Sequence, residues 1–238
     1  EAAWNPSHLA APLPPRNHPL VVWIIFDELS YQQTFGHRAR DLQLPSFDAL
    51  RAQSTLYTQT RPIGYHTVNI VPGLFTGNPI DTVRFDRKNQ LAVHYIDRHG
   101  FQPLNGSGTI FADAQALGWR TAIVGWYNPY CSLYASALQS CYWTNRDGFD
   151  GPMAYRYSIW NNAVTPLLQL ARQLVSPGAA NRALCSFQVR QRYLTETGLQ
   201  QHAFQLLHTD QADFVFLHLA IPHSPNIWSH IDGNYAQG

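Results

Sequence analysis

Leu20-Val21-Val22-Trp23-Ile24-Ile25-Phe26-Asp27-Glu28-Leu29-Ser30 is the stretch that decides the fold. From Leu20 to Phe26 every side chain is apolar, and Val21, Val22, Ile24 and Ile25 are β-branched. A continuous run of that length predicts a strand buried on both faces of a parallel sheet rather than one alternating between core and solvent. The run stops at two carboxylates, Asp27 and Glu28. Ligands in open α/β sheets bind outside the C-terminal ends of the strands, so this acidic pair falls where chemistry collects.

The flanking segments extend the same pattern. Pro45 opens a short helix with Leu44, Phe47 and Leu50 on one side. Ser54–Thr60 alternates like a strand. Val68–Phe75 predicts a short helix ended by Gly77. Pro72 inside it removes a backbone hydrogen bond at a cost of up to about 3 kcal/mol, so a short or kinked helix is expected. Residues 78–108 read as irregular, rich in turn formers and charge. Ile110–Leu117 reads as a helix capped by Gly118 and followed by a strand at Arg120–Val124, a helix–glycine–strand unit typical of α/β domains. Residues 126–160 read as a long aromatic loop. Asn161–Leu174 and Arg182–Leu207 read as helices. Phe214–Leu219 (FVFLHL) reads as a second buried strand, running into Ile221-Pro222-His223-Ser224-Pro225. No internal repeat or low-complexity segment interrupts the chain.

With 238 residues, 45% of them hydrophobic, the chain can bury the core of one large α/β domain. Charged residues are 13% of the total and the net charge is +1, so no basic field invites nucleic acid. No apolar run approaches the roughly 18 residues of a membrane span, and no signal peptide is apparent. The chain begins at Glu1, which predicts a processed or excised piece. Residues 1–18, with Pro6, Pro12, Pro14 and Pro15, read as a linker leading from a removed membrane anchor, and 19–238 as the domain itself. Of three cysteines, Cys131 and Cys141 flank a short loop. They read either as a disulfide, which would favour an oxidising compartment such as the periplasm, or with Cys185 as unpaired small hydrophobes.

Three polar points follow predicted strands: Asp27–Glu28, Thr67 and His223. Parallel strands would bring them to one sheet edge. A carboxylate pair can hold a hard divalent cation. A hydroxyl at a helix N-terminus is well placed as a nucleophile, because the dipole and the first N–H groups favour both its alkoxide and an anionic target. A nearby His can contact the anion or protonate a leaving group. Each has a bland alternative: a loop cap for Asp27 and Glu28, an ordinary N-cap for Thr67, a rigid turn for His223. His94, Asp97 and His99 form a further polar cluster, read as a solvated loop without a framing strand rather than as metal ligands.

The ordered set resembles a known superfamily. LVVWIIFDELS resembles the first strand of the alkaline phosphatase and sulfatase superfamily, where an acidic pair binds metal. LPSFDALRAQSTLYTQTRPI resembles its Pro-started helix and the strand leading to the nucleophile. Thr67-Val-Asn-Ile-Val-Pro-Gly-Leu-Phe-Thr-Gly77 resembles the nucleophile segment ending in Leu-Leu-Thr-Gly, with Thr67 where sulfatases carry the residue converted to formylglycine. TIFADAQALGWRTAIVGWYN resembles the helix–strand before a Gly-Lys-Trp-His motif, and FVFLHLAIPHSP the strand carrying a substrate-contacting His. The resemblance runs from about Pro19 to Pro225.

It implies a three-layer α/β/α sandwich with a mostly parallel sheet. It also implies a metal-dependent hydrolase or transferase of phosphate or sulfate esters, with Asp27, Glu28 and Thr67 at the metal and Thr67 and His223 in catalysis. An oxygen-rich site of that kind favours Ca²⁺, Mg²⁺ or Mn²⁺ over Zn²⁺. The substrate would be a small-molecule, lipid-linked or glycan-linked ester, and the setting extracytoplasmic, as the soluble domain of an inner-membrane protein. Departures narrow the branch. The Cys-x-Pro-Ser-Arg core reads Thr67-Val-Asn-Ile-Val, without its Arg, and Gly-Lys-Trp-His reads Gly125-Trp126-Tyr127-Asn128, without its Lys and His. A Thr nucleophile resembles the phosphodiesterases, phosphonate hydrolases and phosphoglycerol or phosphoethanolamine transferases. The family's second metal-ligand pair would follow the His–Pro segment, and Asp232 comes too soon to fill it, so the domain is expected to lack its C-terminal part. The rival expectation is a non-catalytic binding or sensing domain of the same fold.

Overall fold

In a computed structural model, residues 18–85, 90–145, 167, 177–225, 227–229 and 234–235 are described. The predicted linker, the helix predicted at Asn161–Leu174, the side chain of Cys185, and Asp232 lie wholly or almost wholly outside them.

The apolar run forms β1 (Val21–Phe26), and FVFLHL forms β7 (Phe214–Leu219). The two pair in parallel, from Val21 opposite Phe214 to Phe26 opposite Leu219. β5 (Thr121–Trp126) pairs in parallel with the other side of β7, and β6 (Ser140–Thr144) with the outer side of β5. The result is a four-stranded parallel sheet in the order β1-β7-β5-β6, within an α/β fold. Because all four strands point the same way, the loops after β1, β5 and β7 leave from one edge.

Side chains alternate between the sheet's two faces. Trp23, Ile25, Ile123, Phe214 and Phe216 join a core with Val71, Phe75, Phe111, Tyr130 and Tyr134. Phe75 is the hub of this aromatic packing, with Phe111 and Phe216 edge-on at 4.8 Å each. On the other face Ala122, Val124, Val215 and Leu217 pack under α5 (Pro177–Leu207) through Leu199, Ala203 and Leu206.

α1 (Pro45–Ala52) and α2 (Thr67–Thr76) start and stop close to the sequence expectation. α2 runs on through Pro72 and ends at Gly77 in the left-handed region, φ 67°. α3 (Ile110–Ala116) is capped by Thr109, whose hydroxyl accepts from the Ala112 N–H. Gly118 follows at φ 82°.

Four expectations are corrected. Among the described residues β1 lies at the edge of the sheet rather than fully buried, with Val22 and Ile24 exposed at 36% and 43%, because α5 lies over β5, β6 and β7. Ser54–Thr60 makes no strand, since its alternating residues find no partner ladder. Residues 78–108 are not irregular: β2 (Ile80–Phe85), β3 (Leu91–Tyr95) and β4 (Phe101–Pro103) form a small antiparallel sheet. Asn69 ties α2 to it by donating to the carbonyls of Ile80 and Asp81. The described part of the "aromatic loop" holds α4 (Tyr130–Leu133), a short 3₁₀ turn and β6. Cys131 in α4 and Cys141 in β6 form a disulfide, which resolves the two readings of that pair. Among the described residues, no helix is long and apolar enough to cross a membrane.

Candidate functional site at the C-terminal sheet edge

Asp27 follows β1 directly, and its backbone N–H donates to the Leu219 carbonyl at the end of β7. That bond locks the carboxylate to the neighbouring strand. His218, on β7, is fully buried, and its Nε2 lies 4.0 Å from Asp27 Oδ1. The opposite ring atom, Nδ1, is hydrogen-bonded to the Tyr130 hydroxyl at 2.7 Å. Tyr130 reaches this point because Gly125 on β5 has no side chain. A Cβ there would stand 2.3 Å from the tyrosine ring. Burial holds the Tyr130 phenol well above its ordinary pKa, opposed by a hydrogen bond with Asn128. It therefore stays a neutral hydroxyl at physiological pH.

Asn128 extends the chain of contacts to Thr67. Its Nδ2 donates to the Thr67 carbonyl at 3.4 Å. Thr67 is the first residue of α2; the N-cap is His66, extended at φ −120° and ψ 136° with no capping side-chain bond. Thr67 is thus not the ordinary N-cap of the bland alternative. Its hydroxyl sits beside a helix N-terminus that no side chain caps. Thr67, Asn128, Tyr130, His218 and Asp27 form one connected row.

A second group lies beside it. Glu28 has φ 62°, a left-handed backbone that is costly for a residue with a side chain. Its carboxylate lies 3.4 Å from His223 Nε2. Tyr127, just past β5, shares the same unusual backbone at φ 73°. His223 Nδ1 is 2.6 Å from the Ser224 carbonyl and 3.2 Å from Arg192 Nη2. Arg192 comes from α5 and is almost wholly buried. It stacks 4.5 Å above the Trp126 ring and donates to the carbonyls of Ala220 and Ser224. A guanidinium from α5 therefore pins the loop that carries His223.

The four residues read from the sequence take distinct places. Asp27 and Thr67 belong to the connected row, while Glu28 and His223 face each other beside it. Sequence reading missed His218, Tyr130, Asn128 and Arg192 as members. His94 lies in β3, paired with Asp81 at 2.9 Å across the small sheet, so the expected loop without a framing strand is corrected. Among the described residues, no three His, Cys, Asp or Glu side chains converge as a metal-binding group. No protein-family model, curated protein or solved structure matches the chain.

Proposed function

We propose that the chain carries the nucleophile half of a metal-dependent hydrolase or transferase of phosphate or sulfate esters, built on an alkaline-phosphatase-like α/β/α sandwich. The single observation that carries this reading is the connected row from Thr67 to Asp27 at the C-terminal sheet edge. A threonine at an uncapped helix N-terminus, its backbone carbonyl held by Asn128 in a row that ends with His218 4.0 Å from a carboxylate at a strand end, suits attack on an anionic ester.

In this reading the Thr67 hydroxyl gives up its proton to solvent, and its oxygen forms a bond to phosphorus as the ester P–O bond breaks. His223 delivers a proton to the departing oxygen, with Glu28 facing the same ring. Water or an acceptor alcohol then displaces Thr67. A divalent cation, when bound, would neutralise the ester oxygens and lower the hydroxyl's pKa. The residues fit it in part: Asp27 and the buried His218 nitrogen face one another, whereas the Glu28 carboxylate lies at His223. Thr has one hydroxyl and lacks the gem-diol route by which formylglycine sheds sulfate, which favours phosphorus over sulfur. The Cys131–Cys141 disulfide supports an extracytoplasmic, periplasmic setting. The substrate class is a small-molecule, lipid-linked or glycan-linked ester.

The rival, a non-catalytic binding module, is favoured by Trp126 and Asn128 standing where the family's sulfate-binding Lys and His are expected. One experiment separates them. A phosphodiester, a phosphomonoester and an aryl sulfate are offered with Mn²⁺ or Ca²⁺ to the protein and to Thr67→Ala. Phosphodiester turnover abolished in Thr67→Ala, with unchanged circular dichroism, is the expected result. Preference for the sulfate ester would reject the phosphorus assignment, and no turnover of any ester with the second metal-ligand pair present would favour the rival.

A further inference from the structure

His218 is an ionisable side chain in the middle of an otherwise apolar strand, with none of its surface exposed. One ring nitrogen is used: Nδ1 is held by the Tyr130 hydroxyl. The other, Nε2, is buried with no hydrogen-bond partner among the described residues and faces Asp27 Oδ1 at 4.0 Å. That gap is too long for a hydrogen bond. Two donors, each about 2.1 Å from a shared ion, stand roughly 3.4 Å apart in a tetrahedral shell, so the pair would close by about half an ångström to share one. A buried nitrogen left unpaired is unfavourable unless something fills the gap. The rest of the ring's environment matches what metal-binding imidazoles need, with the distal nitrogen fixed by an oxygen that sets tautomer and orientation. A tyrosine hydroxyl can accept a hydrogen bond from Nδ1–H, and that tautomer leaves the Nε2 lone pair directed at the gap. Gly125 clears the space that brings Tyr130 to this position.

We propose that His218 Nε2 and Asp27 Oδ1 together hold a divalent cation, with Tyr130 as the positioning residue for the imidazole. The inference rests on the proposed function for its catalytic use but not for the binding itself. It shifts the expected metal class: one imidazole beside one carboxylate moves preference from Ca²⁺ and Mg²⁺ towards Mn²⁺ and Zn²⁺. Two protein donors also mean modest affinity, with water and an anionic ligand completing the shell.

The test uses Mn²⁺ alone, with no ester present. Titration followed by electron paramagnetic resonance measures affinity, and pulsed measurements on bound Mn²⁺ detect coupling to a ¹⁴N nucleus. Imidazole-type ¹⁴N coupling is expected in the unaltered protein and is lost in His218→Gln, with affinity lowered at least tenfold. Tyr130→Phe should keep the coupling but weaken binding about tenfold, the size typical for loss of an orienting partner. If His218→Gln fails to fold, His223→Gln decides instead: coupling that survives it supports His218, and coupling lost with it overturns the proposal. An oxygen-only spectrum, or no Mn²⁺ binding at millimolar concentrations, also overturns it. Nitrogen-coupled Mn²⁺ without ester turnover would leave this site standing while the proposed function fell.

Discussion

Gly125 has room for a hydrogen and little else on the side that faces Tyr130. An added methyl would sit 2.3 and 2.4 Å from two ring carbons of a fully buried side chain. Gly125→Ala should therefore cost about 1–3 kcal/mol of stability, as overpacking does, and should move the Tyr130 hydroxyl away from His218. Urea unfolding measures the first effect and Mn²⁺ affinity the second; an unchanged midpoint would show that the ring can shift freely. At this scale the sequence was informative where position carried meaning. Asp27 was legible because it ends an apolar run, and Thr67 because it stands a fixed distance before Leu74-Phe75-Thr76-Gly77. His218 left a weaker trace, a lone ionisable residue within FVFLHL. Arg192 left none, since its burial depends on where α5 crosses the sheet, and in a long polar helix it reads as a surface residue.

Elements were legible when their signals were local. α2 illustrates this: Gly77 adopts φ 67° and closes the helix with its N–H on the Gly73 carbonyl. Nothing lies within 4 Å of a Cβ built there, so Gly77→Ala should cost only the backbone penalty, about 1–2 kcal/mol, with no clash added. Gly77→Asn should recover part of it, because Asn tolerates the left-handed region. Thermal melting of the two variants checks the difference. Elements that needed a distant partner were misread. Ser54–Thr60 has the alternation of a strand but no ladder to join. β2, β3 and β4 carry charge and turn formers, yet they pair because a hairpin brings Arg84 over the Phe101 ring and His94 beside Asp81. The half-exposure of β1 follows from its place in the strand order, which periodicity does not encode.

For the whole molecule, the N-terminal edge of the sheet is tied together through one carboxylate. Asp213 accepts from the Arg120 backbone N–H, Nε and Nη2, and its own carbonyl receives the Val21 N–H. Those contacts join β1, β5 and β7. The hydrogen-bonded Arg120 guanidinium holds the Asp213 carboxyl below its usual range, against the opposing effect of burial. A carboxyl lowered on folding adds stability that is complete above its unfolded pKa of about 3.9 and disappears as pH falls through the folded value. Asp213→Asn should thus lower stability at neutral pH and flatten its dependence on pH below about 4; denaturant midpoints across that range give the answer. The disulfide acts on the same scale. Cys131 adjoins Tyr130, so the bond to Cys141 anchors to β6 the turn from which the tyrosine reaches His218. Oxidation history thereby becomes a property of each batch: protein made in a reducing cytoplasm and protein exported before folding would share one sequence and differ in how firmly the centre of the site is held.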